Sequence, residues 1–370
     1  MVTAVAFGVA DVDDAEVSLH LLRFAHETLP QRVHFAAGQA ADAVAEEVRR
    51  LEGSRVMAIA TGAARAEPVL AGVRVAVVHT DVVRHVPVEV AEHARGVARE
   101  YDVDVLVSVG GGSTTGLAKA VALTTGLPIV SVPTTYAGSE ATDVWGLTEG
   151  GRKSTGVDRR VLPHAVVYDA TLMLGLPVAT SVASGLNALA HCVDAMWGPR
   201  ADPIDRALAL EGIRALDSGL RHVVTDPTEL AGREQSLYGA YLSAVAFASA
   251  GSGLHHKICH VLGGMFDLPH AETHAVVLPH VLALNAPAVP DLDARMAAAF
   301  GAPTALAGLQ RLRGDVDAPR SLRDLGLAEP DLMTAVGPIL DAAPPSNPVP
   351  VTAVAIEALL HAAYEGKDPA

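Results

Sequence analysis

The histidines of the second half of the chain stand at spacings that could build a site. Asn187 and His191 are four apart in SGLNALAHCVDAMW, His256 and His260 are four apart in GLHHKICHVLGG, and His270 follows in Leu268-Pro269-His270. Residues four apart share a helix face, so two helices could each aim a polar pair at one place, with His270 entering from a loop. Three imidazoles and an oxygen suit a divalent ion. Here the oxygen is the neutral amide of Asn187, a weak ligand. Asp194 and Glu272 are the acids nearest in sequence, and neither is read as sharing that face. Cys192 and Cys259 each follow or precede a motif histidine but point elsewhere on a helix, so they read as small core residues.

A second chemistry-bearing stretch lies earlier. Gly110-Gly111-Gly112-Ser113-Thr114-Thr115-Gly116 joins an apolar run to a helical one. Glycines let a backbone approach a ligand closely, and the free N–H groups of a helix start favour a phosphate. The spacing is neither G-x-G-x-x-G nor a Walker A loop. Pro133-Thr134-Thr135-Tyr136-Ala137-Gly138-Ser139-Glu140 also follows a strand end. Ligands of open α/β sheets bind outside the carboxyl ends of the strands, so both stretches are expected to line one crevice.

The elements that must hold these residues follow from periodicity. Short β-branched runs at 55–60, 73–78, 103–109, 128–132 and 165–168 alternate with helical patterns at 88–101 and 114–125. That alternation predicts an α/β domain with a parallel sheet. The stretch 134–160 is irregular, with a turn at Glu149-Gly150-Gly151. Beyond Pro177 long Ala- and Leu-rich helical patterns dominate, as at 204–216 and 237–250, and 343–350 is a loop before the last helix. The expectation is an α/β nucleotide-binding domain over 1–174 and an all-α domain over 175–370. Residues 1–22 read as an N-terminal extension.

Composition removes several function classes. The chain has 370 residues and a formal charge of −15, from 27 basic and 42 acidic side chains. That balance argues against nucleic-acid binding, which needs a basic face. No apolar run reaches the ~18 residues of a membrane span, and the N-terminus lacks the basic start of a secretory signal. Two cysteines imply no disulfide framework and fit a reducing, cytoplasmic setting. Four of the basic residues are lysines: Lys119, Lys153, Lys257 and Lys367. Lys119 is read evenly as a solvated position or a functional one, and Lys367 as tail.

GGGSTTGLAKA, PTTYAGSEAT, the Asn187/His191 helix and GLHHKICHVLGGMFDLPHAETHAVVLPH together resemble the iron-containing alcohol dehydrogenase superfamily, and within it the maleylacetate reductase family. The resemblance runs from about Phe24 to the C-terminus. It implies a dehydroquinate synthase-like architecture with the active site between the domains, NADH or NADPH as hydride donor, and a homodimer. The metal ligands of its metal-dependent members, an Asp and three His, correspond to Asn187, His191, His256 and His270. Asn in place of Asp, shared with maleylacetate reductases, implies that no metal is expected. Cofactor positions carry over to Gly111, Gly112 and Ser113 for the pyrophosphate, Thr134, Thr135 and Lys153 for the nicotinamide side, and Thr61 and Gly62 for the adenosine ribose.

The implied reaction is reduction of the C=C bond of maleylacetate to 3-oxoadipate, in breakdown of aromatic compounds. Hydride adds β to the ketone, and charge grows on the ketone oxygen. Cationic or donor side chains must then stabilise the enolate. His191, His256, His260 and Lys257 are the catalytic candidates, with His256 the first choice to protonate the α carbon. The dicarboxylate substrate needs a local positive island in an acidic protein, and His255-His256-Lys257 is the densest basic group. Tyr136 and Thr142 are candidate neutral donors, and Asn187, His255 and His270 complete the substrate set. The competing readings are a metal-dependent alcohol dehydrogenase, a lyase of related architecture, and a catalytically silent nucleotide-binding relative.

Overall fold

In the computed structural model, residues 22–150 and 152–369 are described. The N-terminal extension proposed for 1–22 therefore lies almost entirely outside the described residues. The first domain contains β1 (Arg32–Phe35), α1 (Ala40–Arg50), β2 (Val56–Ala60), α2 (Ala63–Ala66), β3 (Val75–His79), α3 (Val88–Glu100), β4 (Val105–Gly110), α4 (Gly112–Thr125), β5 (Ile129–Pro133), a hairpin of β6 (Val144–Glu149) and β7 (Arg152–Val157), and β8 (Ala165–Tyr168). Six of these strands form a sheet in the order β1-β8-β5-β4-β2-β3, and each adjacent pair runs parallel.

The sequence of β2 shows why the sheet is covered on both faces. Every residue of VMAIA is buried. Val56, Ala58 and Ala60 pack on the α1 side with Val44 and Val48, while Met57 and Ile59 pack with Leu117, Val121 and Ala94 of the α3/α4 side. Side chains alternate across a strand, and a strand covered on both faces is apolar throughout. Parallel pairing then brings the ends of β2, β4 and β5 to one edge, where Thr61, Gly111 and Thr134 begin the next segments.

The helical domain comprises α5 (Val178–Trp197), α6 (Pro203–Thr225), α7 (Leu230–Ala250), α8 (Leu254–Phe266), α9 (His270–Asn285), α10 (Pro290–Phe300), α11 (Ala305–Asp315), α12 (Asp331–Ala342) and α13 (Ala353–Glu365). Helix α5 is buried from Ser181 to Trp197. A helix buried on all sides is surrounded, and one core cluster joins Leu186, Leu189 and Val193 of α5 to Ile213, Leu237 and Leu278 of its neighbours and to Tyr136 and Tyr168 of the sheet domain. Among the described residues no helix is long and apolar enough to cross a membrane.

Several elements depart from the sequence reading. β1, α1 and α2 have no counterpart in it, and the stretch read as irregular contains the β6/β7 hairpin, paired from Val144↔Val157 to Glu149↔Arg152.

Candidate active site

The glycine turn lies at the carboxyl edge of the sheet. α4 begins at Gly112 with Gly111 as its N-cap, and no side chain caps it. Thr114 N–H turns back to Gly111 O, and the Gly112 and Ser113 amides ahead of it are placed to meet an anion. Thr134 N–H donates to Gly110 O at 3.0 Å, which holds the two loops side by side. Gly111, Gly112, Ser113, Thr134 and Thr135 are half-buried around this junction. Thr61 and Gly62 follow β2 on the same edge, with Gly62 capping α2. Lys153 is on β7, paired in register with Thr148.

The histidines meet on the other side. His191 of α5 and His256 of α8 stack, with ring centroids 4.9 Å apart and planes 14° apart. Phe247 of α7 packs on both, at 4.7 and 4.3 Å. The His260 and His270 rings are 6.4 Å apart, and His260 is 6.0 Å from His256. His260 and His270 are exposed, whereas Asn187, His191 and His256 are buried. The predicted convergence of His191, His256, His260 and His270 is thus present, and Asn187 lies one turn before His191 on α5. The two halves touch at Gly138, where a Cβ would lie 3.4 Å from the His191 ring and 2.8 Å from Ala244 Cβ. Gly138 also has φ +76°. Left-handed strain and overpacking each cost about 1–2 kcal/mol, so Gly138→Ala is expected to lower Tm by several degrees and to reduce turnover by displacing His191, as read by thermal melts and steady-state rates.

Asp194 is a residue that sequence reading leaves outside the site. Its Oδ2 accepts from His256 Nδ1 at 2.7 Å, from Gly253 N–H at 3.0 Å and from His256 N–H at 3.2 Å. The side chain is fully buried, and Gly253 makes room for it, since a Cβ there would stand 2.4 Å from Asp194 Oδ1. Burial raises its carboxyl to about 7 against the pull of these donors. The signal is present in the sequence: 187, 191 and 194 are spaced i, i+4, i+7, one helix face. His274, four residues after His270, is the other omission. Its Nδ1 is 2.9 Å from His255 Nε2.

Several assignments are corrected by burial. Burial pushes His191 and His255 down to about 3 and His256 and His274 well below the usual imidazole range. These rings are neutral, so His255-His256-Lys257 is not a positive island and its charge rests on Lys257. His255 is fully buried against His274, away from a substrate role. The ring of His256 places Nδ1 on Asp194 and leaves Nε2 buried without a partner. With Nδ1 turned to Asp194, it is the buried Nε2 that faces the cluster, screened from the solvent that would resupply a proton. Tyr136 is fully buried, its hydroxyl on the Arg233 and Ser236 side. Thr142 Oγ1 is engaged with Ser139 O and Lys119 Nζ. The Thr142 hydroxyl is thus committed, and the Tyr136 hydroxyl is buried without a hydrogen-bond partner, shut off from solvent. Lys119 is buried and is no solvated surface residue.

Comparison with known proteins places this geometry in a family. A family model described as iron-containing alcohol dehydrogenase matches residues 30–170, and one described as Fe-containing alcohol dehydrogenase family, C-terminal, matches 181–364. A maleylacetate reductase of a Rhizobium species is 45% identical over 94% of this chain and 99% of its own. One of Sphingobium indicum is 43% identical over the same shares, 94% and 99%. The crystal structure of an iron-containing alcohol dehydrogenase from Corynebacterium glutamicum superposes with a TM-score of 0.92 at 57% identity, covering 95% of this chain and 99% of that one. The fold is therefore that of these enzymes, an α/β sheet domain followed by a helical one.

The expectation that no metal is bound is overturned by these matches, since both family models describe iron-containing enzymes. The site's own atoms fit an ion. Asn187 Oδ1, His191 Nδ1 and His256 Nε2 are buried without hydrogen-bond partners, and an unpaired buried polar atom is costly. His255, His256 and His274 also bring one nitrogen each within 4.8 Å of the others. The Asp194–His256 contact is the carboxylate support that orients a ligating imidazole.

Proposed function

We propose, from the premise that the chain belongs to the iron-containing alcohol dehydrogenase family, that this oxidoreductase uses NADH or NADPH to reduce the C=C bond of maleylacetate to 3-oxoadipate. The observation that carries the substrate is the near-complete alignment, 94% of this chain at 43–45% identity, with proteins named maleylacetate reductase. The uncapped start of α4 receives the pyrophosphate, with Ser113, Thr134 and Thr135 beside it. Hydride passes from the nicotinamide to the carbon β to the ketone, and the electron pair of the double bond moves towards the ketone oxygen. A proton then goes to the α carbon, so one hydride and one proton enter together.

His260 is the proton donor in this reading. It is exposed, one helical turn from His256, and exchanges protons with water between turnovers. Lys257 and His270 receive the substrate carboxylates. Phe247, packed over His191 and His256, excludes water from the buried side. An ion held by Asn187, His191, His256 and His270 would supply Lewis-acid polarisation of the ketone oxygen when bound. The enzyme works in the cytoplasm as a homodimer, without nucleic-acid or membrane partners, within aromatic-compound breakdown.

The test is NADH and NADPH consumption with maleylacetate, with 3-oxoadipate identified as product. No consumption of either nucleotide ends the proposal. The second reading, a metal-dependent alcohol dehydrogenase, is favoured by the 57% identity to the Corynebacterium glutamicum iron-containing alcohol dehydrogenase. NAD⁺ reduction by simple alcohols, without maleylacetate activity, would select it. His260→Ala is expected to lower kcat by about 10²-fold or more with little change in nucleotide binding, measured in the same assay.

A further inference from the structure

At the open edge of the sheet, β3 ends in His79. The following loop carries Asp81, and α3 brings His93 alongside. One ligand atom from each of the three lies within 4.8 Å of the others. His93 Nδ1 is 3.7 Å from Asp81 Oδ2, and the His79 and His93 rings meet edge-on at 5.5 Å. His79 is only 5% exposed, and its Nε2 is buried without a hydrogen-bond partner. Asp81 and His93 are open to solvent, at 53% and 63% side-chain exposure. The group has a buried nitrogen for a floor and two exposed ligands for a rim.

An unpaired buried ring nitrogen is destabilising, and a cation coordinated there would remove that cost. The unpartnered nitrogen of His79 has a lone pair to offer an ion. Two imidazoles and one carboxylate, with room for water on the open side, match borderline transition ions. Calcium and magnesium take oxygen shells instead. We propose that His79, Asp81 and His93 form a site for a divalent transition-metal ion of the zinc class, separate from the histidine cluster of the helical domain.

The site has something to hold. The loop from Thr80 to Pro87 includes His85 at φ +62° and Val86 at φ +47°, left-handed values that a β-branched residue adopts only under constraint. The loop accepts hydrogen bonds from Thr148 Oγ1 and Thr148 N–H, and His85 reaches Asp267 at the end of α8, 3.5 Å away. An ion at His79, Asp81 and His93 ties the start of this cleft-bordering loop to α3.

The full chain, stripped with chelator and dialysed, is titrated with Zn²⁺ by calorimetry. The wild type is expected to bind one more ion per chain than His93→Ala, and Asp81→Asn to weaken that ion's binding at least about tenfold through loss of the ligand charge. His93 is exposed, so the variant should keep its circular dichroism and its maleylacetate turnover. Asp81→Ala serves as the second test should His93→Ala fold poorly, and it should also lose one ion. Equal zinc stoichiometry and affinity in the wild type and in either folded alanine variant overturns the proposal.

Discussion

His256→Ala lowers kcat/KM by about 10²-fold or more while the dissociation constant for NADH stays within about twofold. The ring is held from below by Asp194 and walled by His191 and Phe247, and it presents Nε2 to the cluster. No cofactor-side residue among Gly111, Ser113 or Thr134 leans on it, which is why nucleotide affinity is spared. Asp194→Asn is expected to cost about 10- to 100-fold, the usual loss when the support of a functional imidazole is removed. Its informative readout is the pH profile. Burial holds the Asp194 carboxyl at about 7. Below that value the carboxyl keeps its proton, and His256 Nδ1–H loses an anionic acceptor. In the wild type, kcat/KM therefore climbs as pH rises through about 7, and in Asp194→Asn the climb is absent. Stopped-flow rates across that range decide it. A variant with lower activity but the same limb would leave Asp194 a purely structural cap on α8.

The parts of the molecule that were legible share a physical cause. β2, β4, β5 and β8 are apolar because both their faces are covered, and a glycine turn between a buried strand and a helix has few other uses. The histidine pairs were legible because a four-residue spacing on one helix is local information. The unread parts depend on distant partners. β1 is only four residues, RVHF, and exposes residues at both ends, so its apolar content is too slight to announce a strand. The β6/β7 hairpin is paired mainly with itself and carries little burial. Tyr136 looked like a site residue because its neighbours are, and only the arrival of Arg233 from α7 shows that it faces the core. Protonation was least legible of all. His255, His256 and Lys257 spell a basic cluster, but two of the three are wrapped by α5 and α9 and are neutral.

Lys119→Met is expected to destabilise the protein by about 3 kcal/mol or more, and the deficit should widen with pH. The lysine leaves the middle of α4 and donates to Ser139 O at 2.6 Å, Thr142 O at 2.8 Å, Thr142 Oγ1 at 3.1 Å and Val144 O at 2.8 Å. Methionine fills the volume but takes the lysine donor from the Thr142 and Val144 carbonyls, each loss costing about 1–3 kcal/mol, while Ser139 O keeps the Thr142 N–H and Oγ1. Against that loss stands relief from burying a charge. Desolvation lowers the Lys119 pKa from 10.5 to about 7, with Glu140 and Asp143 pulling it back. Between those values the unfolded chain binds a proton that the folded one does not. Wild-type stability through this group therefore rises as pH goes from about 7 towards 10.5. The neutral amine still donates two hydrogen bonds, so the wild type sheds the cost of the charge and keeps most of the benefit. Urea unfolding of both proteins at pH 6.5 and 9 measures the gap, and a gap that narrows at the higher pH would show that the ammonium, with its third proton, is the form that holds the loop. The same loop runs from Thr134 through Gly138 to Val144, so Lys119→Met should also raise the KM for nucleotide, although Lys119 itself lies beneath the cleft and touches no substrate.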